Sequence, residues 1–422
     1  MKDLLSGTQK IKFANGFTLL LTPIDESALV SFNLCLGMGN LYEEEGERGL
    51  SSLMQEVITK GTGLKKAEEL ATSLESLGAS FDASAGYFAG RVHLVGPAEN
   101  CGEILPLFFE IVLDPAFREE ETVKEKLYLQ NLIRSQDDEP LKAATIRFQK
   151  AFYGSHPFSI SPLGVIEDLD RLSSARLREW HTTIYQPANM VVSVAGHFQP
   201  EKVTQAFELA FSSLPSGVKP IPKKHNHCCV IPECLERRSL RDCWLVYGIP
   251  APPLQEPRAR SAFEILNTAL GGGLFSRLFL RLREERGWSY HVGSLYVPLC
   301  GPSFFCSFAG FLPRHFRDVQ DLLRREIEGM GSIDSQEFQE AKNYTLGTYL
   351  TQFEGVQSLA ALLAFYEKIG LGWDHILTYE TILRQMTLEE AIREFRIYQG
   401  QNGAMGGIVP WDWEGSLVGE IF

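Results

Sequence analysis

The order of strand and helix patterns in this 422-residue sequence predicts an α+β fold made of two homologous domains. Strand patterns occur in groups and do not alternate strictly with helices, which is typical of α+β proteins. The same order of patterns occurs twice, with a period of roughly 200 residues. Residues 214–224 contain the proline and glycine that are typical of a linker. We therefore predict domains at residues 1–213 and 225–422.

The predicted elements of the two copies correspond in order. Those of the first copy are a strand at Ala28–Leu36, helices at Gly46–Lys60 and Ala67–Leu77, strands at Ser80–Ala85 and Tyr87–Val95, and a helix at Cys101–Leu113. Those of the second copy are a strand at Cys243–Gly248, a helical run at Arg258–Arg286, strands at Tyr290–Val297 and Ser303–Ala309, and a helix at Phe316–Met330. A further helix is predicted to begin near Asp334, which has capping-box spacing to Glu337.

Composition and charge narrow the possible partners. Hydrophobic residues make up 44% of the chain and charged residues 22%, as in ordinary globular proteins. The net charge of −13 argues against nucleic acid as a partner, because an acidic surface repels phosphate, but it is compatible with basic peptides. The longest apolar stretches, such as Met190–Ala195, are far shorter than the about 20 residues that span a bilayer. We therefore expect no membrane partner.

The cysteines and the N-terminal sequence predict a cytoplasmic location. The eight cysteines are irregularly spaced and include no C-x-x-C pair, as expected of reduced thiols in a reducing compartment. No apolar segment of the kind found in secretory signals follows Met1. If a signal has been removed, the expected location is the periplasm.

Residues 49–62 form an amphipathic helix pattern. An apolar stripe at i, i+3, i+4, i+7 and i+8 is made by Leu50, Leu53, Met54, Val57 and Ile58. Ser52, Gln55 and Glu56 share the opposite side. The simplest interpretation is a solvated polar face, preceded by a solvated acidic run at residues 43–45 that favours the helix N-terminus.

The helix pattern also resembles the active-site helix of the inverted zincins, the insulinase, pitrilysin and mitochondrial processing peptidase family. The family signature is G-L-x-H-x-x-E-H followed by K-G-T, and this chain has Gly49-Leu50 and Lys60-Gly61-Thr62 at the family spacing. The resemblance places Ser52 and Glu56 at the two histidine positions and Gln55 at the position of the catalytic glutamate.

These substitutions imply that the helix holds no zinc. Catalytic zinc takes three protein ligands and an open position, and serine is a poor ligand. Gln55 is an amide and cannot accept the proton of a water molecule near neutral pH. The family's third ligand is a glutamate on a later helix, but residues 126–136 contain no Asp or Glu. We therefore expect a zinc-free chain.

A second motif, at residues 270–290, resembles the C-terminal motif of the same family. It contains a glycine patch (Gly271, Gly272 and Gly273), then S-R-L-F, L-R-E and G-x-x-Y. In the active enzymes an arginine and a tyrosine seven residues apart reach toward the zinc, and Arg283 and Tyr290 have that spacing. The resemblance implies that Tyr290 donates a hydrogen bond to the oxyanion and that Arg283 holds substrate carbonyls. Alternatively, Arg283 caps a helix C-terminus and Tyr290 packs in a strand.

Other potential sites are weaker. The sequence at residues 225–229 with Cys234 has donor atoms suited to zinc but lacks a zinc-binding spacing, so we expect no metal there. His156, in a family-like H-P pair, is expected to form a structural hydrogen bond. The Y-x-P-x-N-M sequence at Tyr185 and the E-x-x-x-A-K sequence that begins at Glu337 also resemble family landmarks.

Together the motifs predict a zinc-free subunit of a heterodimeric peptidase. The resemblance implies two α/β-roll domains, each a mixed antiparallel sheet with helices on one face, forming half of a clamshell that closes around a peptide. Zinc is expected on a partner chain with an intact H-x-x-E-H. Two alternatives remain open: a structural or regulatory subunit like the core proteins of the respiratory bc1 complex, and a homodimeric peptide-binding clamp.

Overall fold

The computed structural model describes residues 5–223, 231–353 and 355–413, and these residues form two mixed sheets with helices. The predicted α+β class is confirmed. Among the described residues, no helix has both the length and the apolar character needed to cross a bilayer.

The first sheet has six strands in the order β1-β2-β6-β3-β5-β4. Their bounds are β1 Gln9–Lys12, β2 Thr18–Pro23, β3 Leu29–Leu36, β4 Ser80–Ala85, β5 Gly90–Pro97 and β6 Met190–Gly196. The second sheet has five strands in the order β7-β11-β8-β10-β9. Their bounds are β7 Glu233–Arg238, β8 Cys243–Ala251, β9 Ser289–Val297, β10 Ser303–Phe311 and β11 Ala404–Pro410.

The two sheets share one topology. In the series β2-β6-β3-β5-β4 the first pair is parallel and the later pairs are antiparallel. The series β7-β11-β8-β10-β9 has the same pattern of pairing. Strand β9 therefore occupies the position in the second sheet that β4 occupies in the first. The two sheets therefore correspond to the two copies of the repeat predicted from the sequence.

The described residues also form fourteen α-helices. In the first two thirds of the chain they are α1 Leu50–Ile58, α2 Ala67–Ser76, α3 Cys101–Leu113, α4 Glu119–Asp138, α5 Pro140–Tyr153, α6 Ile166–Arg171, α7 Ser174–Ile184, α8 Pro200–Phe211 and α9 Pro257–Gly271. The later ones are α10 Phe316–Glu328, α11 Ser335–Thr351, α12 Val356–Lys368, α13 His375–Gln385 and α14 Leu388–Tyr398.

The chain forms two compact units that exchange segments. The first unit consists of Met1–Ile133, Ser161–Lys224 and Thr351–Leu377, and the second of Arg134–Ile160, His225–Leu350 and Thr378–Phe422. The change of unit between Lys224 and His225 falls at the end of the predicted linker, whose last residue lies outside the described residues. The sequence predicted one domain in each consecutive half of the chain. In the structure, Arg134–Ile160 belongs to the second unit and Thr351–Leu377 to the first.

Each exchanged segment is held within its unit by close packing. In the first unit, α12 packs on β3 and β6, and Lys368 Nζ donates to the Asn189 carbonyl oxygen at 2.7 Å. In the second unit, α5 packs on β11, where a Cβ added to Gly406 would lie 1.9 Å from the Phe148 nitrogen. A helix can approach this strand so closely only because residue 406 is glycine.

The predicted helical run from Arg258 to Arg286 is wrong as a continuous element. Helix α9 ends at Gly271, and the chain then forms a separate π-helix at Phe279–Glu284. The break lies at the glycine patch. Glycine is unfavourable in a helix interior by about 1 kcal/mol relative to alanine. Gly271 also lies so close to Ser294 of β9 that a side chain would not fit, and this packing fixes the turn.

Candidate functional site

The polar side of helix α1 is mostly buried. Ser52 is 5% exposed and Gln55 is fully buried, and only Glu56 is partly accessible. The interpretation of this side as a solvated face is therefore wrong for Ser52 and Gln55. A buried polar side chain needs a hydrogen-bond partner, so their contacts determine what the helix can do.

Ser52 and Gln55 are engaged in internal hydrogen bonds. Ser52 Oγ donates to the Pro162 carbonyl oxygen at 2.6 Å. Gln55 Nε2 donates to the carbonyl oxygens of Ser84 at 3.3 Å and Arg91 at 3.1 Å, which joins α1 to β4 and β5. Gln55 Oε1 accepts from the Tyr185 hydroxyl at 2.8 Å. The amide therefore links the helix, the sheet and the Tyr185 landmark.

Glu56 is left as the single carboxylate of the motif. Burial raises its pKa, the negative charge of Glu125 raises it further, and Lys60 opposes both effects. Lys60 in turn pairs with Glu125, with 3.3 Å between Nζ and Oε1.

The donor set of α1 does not fit a zinc ion. Its serine hydroxyl and its amide point into existing hydrogen bonds, which leaves one carboxylate where three ligands are needed. Within the described part of the chain, no three His, Cys, Asp or Glu side chains are grouped so that they could hold a metal. The potential cluster at residues 225–229 lies outside the described residues.

The acidic run before α1 is only partly solvated. Glu44 and Glu45 are exposed as predicted, but Glu43 is 6% exposed. Its carboxylate accepts from the backbone nitrogens of Gly49 at 3.0 Å and Ser51 at 2.7 Å. Glu43 thus satisfies free N–H groups at the start of α1. Burial raises its pKa, and these hydrogen bonds oppose that rise.

Arg283 and Tyr290 lie together in the second unit. The Arg283 guanidinium carbon is 4.3 Å from the centre of the Tyr290 ring and 4.9 Å from that of Phe279. Arg283 belongs to the π-helix and Tyr290 to β9. Tyr290 is 70% exposed, so its phenol is available to a ligand. Phe279, one helical turn before Arg283, was missed as a site residue; the S-R-L-F motif was its only signal in the sequence.

The glycine patch brings α9 against the strand that carries Tyr290. A Cβ at Gly271 would lie 2.2 Å from the Ser294 nitrogen, and one at Gly272 would lie 2.7 Å from the Thr268 Cα. Ser294 Oγ also donates to the Asn267 carbonyl oxygen at 2.9 Å. Gly271 is therefore required for close contact between α9 and β9.

Two ion pairs fix the π-helix region to its neighbours. The Arg277 guanidinium forms a bidentate pair with Glu337 of α11, at 2.5 and 2.7 Å, and Arg281 pairs with Glu326 of α10. A cavity of about 500 Å³ opens beside this segment, and its lining includes Arg277, Arg281, Glu285 and Glu337. The segment that carries Arg283 is thus anchored and borders a charged cavity.

His156 has the structural role that its sequence context predicts. It is 6% exposed, and its Nδ1 accepts from the backbone nitrogen of Phe158 at 3.2 Å. This bond holds the short turn at Pro157–Ser159.

Two family models match consecutive parts of the chain. The model described as insulinase (peptidase family M16) matches residues 20–164, and the one described as peptidase M16 inactive domain matches residues 171–345. The first match contains Ser52, Gln55 and Glu56. The second contains Arg283 and Tyr290.

Relatives and solved structures extend this similarity. An uncharacterized zinc protease of Rickettsia bellii is 27% identical over 77% of this chain and 79% of its own. One of Streptomyces coelicolor is 23% identical over 88% and 82%. The crystal structure of a peptidase M16 inactive domain from Pseudomonas fluorescens has a TM-score of 0.87 at 19% identity, covering 97% of this chain and 100% of that one. A protease from Helicobacter pylori has a TM-score of 0.83 at 19% identity, covering 96% and 99%.

Proposed function

Because this chain belongs to the insulinase family of peptidases, M16, we propose that it is a zinc-free subunit that acts with a zinc-bearing partner chain. In this proposal Arg283 and Tyr290 act in trans on a peptide bound at the partner's active site. The observation that carries it is the contrast between two motifs. Gln55 and Ser52 are used internally, whereas Tyr290 is 70% exposed beside Arg283.

The chemistry assigned to Tyr290 follows from its exposed phenol. Peptide hydrolysis places negative charge on the carbonyl oxygen of the scissile bond, and a phenol O–H is a suitable donor to that oxygen. Tyr290 lies on β9, and the contact of its ring with the Arg283 guanidinium limits the motion of the ring. A donor already held in place loses little entropy during the reaction, so it stabilises the transition state effectively.

Arg283 is assigned to peptide binding. A guanidinium has five N–H donors in a planar fork and stays protonated throughout the working pH range. Its contacts with the rings of Phe279 and Tyr290 restrict the side chain. A cation–π contact does not use the N–H groups as hydrogen-bond donors to a carbonyl, so they remain available to the carbonyl oxygens of an extended peptide.

A structural or regulatory subunit is the second candidate, and one observation favours it. The contact between Arg283 and Tyr290 is a cation–π interaction, worth about 0.5–1 kcal/mol at exposed sites without any substrate. Such a contact supports packing as well as catalysis. A homodimeric peptide-binding clamp is the third possibility, and peptide binding without cleavage would distinguish it.

The test is to combine this chain with a chain from the same genome that carries an intact H-x-x-E-H, and to assay cleavage of an unstructured peptide. Tyr290→Phe keeps the ring and removes the hydroxyl, so we expect kcat to fall about 10²–10³-fold. Arg283→Ala should also raise KM. Tyr128→Phe, at a tyrosine of α4 that is 49% exposed, is the matched control. If Tyr290→Phe and Arg283→Ala complexes cleave as fast as wild type, the structural candidate is correct.

A further inference from the structure

Tyr290 is the extra residue of a β-bulge. Gly310 of β10 is opposite His291, and Phe311 is opposite Ser289, so Tyr290 is skipped in the register. A bulge leaves its extra residue outside the ladder and changes the direction of nearby side chains. Tyr290 and His291 are accordingly both exposed, although successive strand residues normally face opposite sides of a sheet.

The Ser289 hydroxyl spans this bulge. Ser289 is 5% exposed, and its Oγ lies 2.9 Å from the His291 carbonyl oxygen and 2.8 Å from the Gly310 carbonyl oxygen, so these two acceptors share its single O–H donor. One acceptor lies on β9 just after Tyr290, and the other lies on the neighbouring strand at the point where the register shifts. The hydroxyl thus joins both strands around the skipped residue.

Alanine at position 289 would remove both contacts at once. The two carbonyl oxygens would then lose the one O–H donor that they share, and an acceptor left buried and unpaired costs about 1–3 kcal/mol. Strand β9 is the last strand in the sheet order, so its register is held from one side only. The bulge can then relax, and the Tyr290 phenol would move with it.

We infer that Ser289 is the positioning residue that aims the Tyr290 phenol at the reacting carbonyl. Its hydroxyl acts through the bulge and does not touch the substrate. This inference rests on the proposed function of Tyr290 in peptide cleavage.

The experiment is a double-mutant cycle in the complex with the zinc-bearing partner. Ser289→Ala should lower kcat about 10–100-fold with little change in KM, because a misplaced donor loses part of the effect of an oxyanion contact. Ser289→Thr, which keeps a hydroxyl, should restore most of kcat. Adding Ser289→Ala to Tyr290→Phe should change kcat less than about twofold, since the serine acts only through the phenol.

The matched control is Ser307→Ala on β10. Ser307 is fully buried, and its hydroxyl donates to the Leu323 carbonyl oxygen at 3.3 Å. Its replacement by alanine therefore removes a buried hydrogen bond of β10 without touching the bulge. Hydrogen exchange gives a readout that needs no activity. The amides of residues 289–291 should exchange faster in Ser289→Ala than in wild type or Ser307→Ala.

The outcomes separate the two hypotheses. If Tyr290→Phe lowers kcat but Ser289→Ala does not, or if Ser289→Ala lowers kcat equally in the Tyr290→Phe background, the positioning role is overturned and the proposed function stands. Unchanged exchange at residues 289–291 also overturns it. If Tyr290→Phe leaves kcat unchanged, the proposed function fails, and the positioning role fails with it.

Discussion

The Tyr185 hydroxyl donates to Gln55 Oε1 at 2.8 Å, inside the first unit. Both residues are buried, and the Gln55 amide nitrogen donates to two strand carbonyls on its other side. The residue at the family's catalytic glutamate position is therefore a structural link between α1, β4, β5 and the Y-x-P-x-N-M segment. Its replacement by an acid has predictable consequences.

Gln55→Glu should destabilise the first unit. A carboxylate at this position would place an oxygen against the carbonyl oxygens of Ser84 and Arg91, with no donor between them. We expect a loss of about 3 kcal/mol or more in urea unfolding at pH 7.5. The loss should shrink at low pH, because burial raises the folded-state pKa of the new carboxyl and protonation relieves the repulsion. Gln339→Glu, the same change on the exposed side of α11, should change stability by less than about 0.5 kcal/mol; an equal loss in both variants would refute this argument.

Restoring the sequence motif should not restore a zinc site. In Ser52→His/Gln55→Glu/Glu56→His the third carboxylate is still missing, because residues 126–136 of α4 contain no Asp or Glu. We expect no stoichiometric zinc by elemental analysis after gel filtration, and no peptidase activity. Ser52→His/Glu56→His keeps Gln55 and its hydrogen bonds, and it serves as the second variant if the triple variant unfolds. One tightly bound zinc per chain in either variant would show that the third ligand lies elsewhere.

Acid should destabilise the first unit through His181. Burial lowers the pKa of His181 from 6.5 to about 4, and the bond to the Val112 carbonyl opposes this only in part. Between these two pH values the unfolded chain binds a proton that the folded chain does not, so stability falls as pH decreases through this window. The loss can reach about 3 kcal/mol. His181→Gln should weaken the dependence in urea unfolding at pH 7.5 and 4.5; an identical slope in both proteins would assign the dependence to other groups.

Gly271→Ala should loosen α9 from β9. The new methyl group would lie 2.2 Å from the Ser294 nitrogen and 2.6 Å from the Gly293 carbonyl carbon, and backbone cannot move aside as a side chain can. We expect a loss of about 1–3 kcal/mol, measured by thermal or urea unfolding. Gly347→Ala is the control, because its Cβ would meet nothing within 4 Å and it lies in α11, where alanine stabilises the helix by about 0.5–1 kcal/mol. Destabilisation by both variants would point to a general effect of alanine at these sites.

The sequence by itself determined the fold class, the family and the positions of both motifs. The two copies of one element order correspond to two sheets of one topology. The spacing of Arg283 and Tyr290 predicted a pair, and in the structure the Arg283 guanidinium carbon lies 4.3 Å from the centre of the Tyr290 ring. These features follow from local periodicity and from motif spacing, which are properties of the sequence alone. Their catalytic role remains a prediction.

Only the tertiary structure decided which polar residues are used inside the protein. In the sequence, Ser52 and Gln55 resemble a solvated face because a helix pattern shows only which side is apolar. Their hydrogen-bond partners, Pro162, Ser84 and Tyr185, are far away in the chain. Glu43 is buried for the same reason, since its partners are backbone groups at the start of α1. The exchange of α5 and α12 and the bulge at Tyr290 depend on packing and strand register, which arise between distant segments and leave no local pattern.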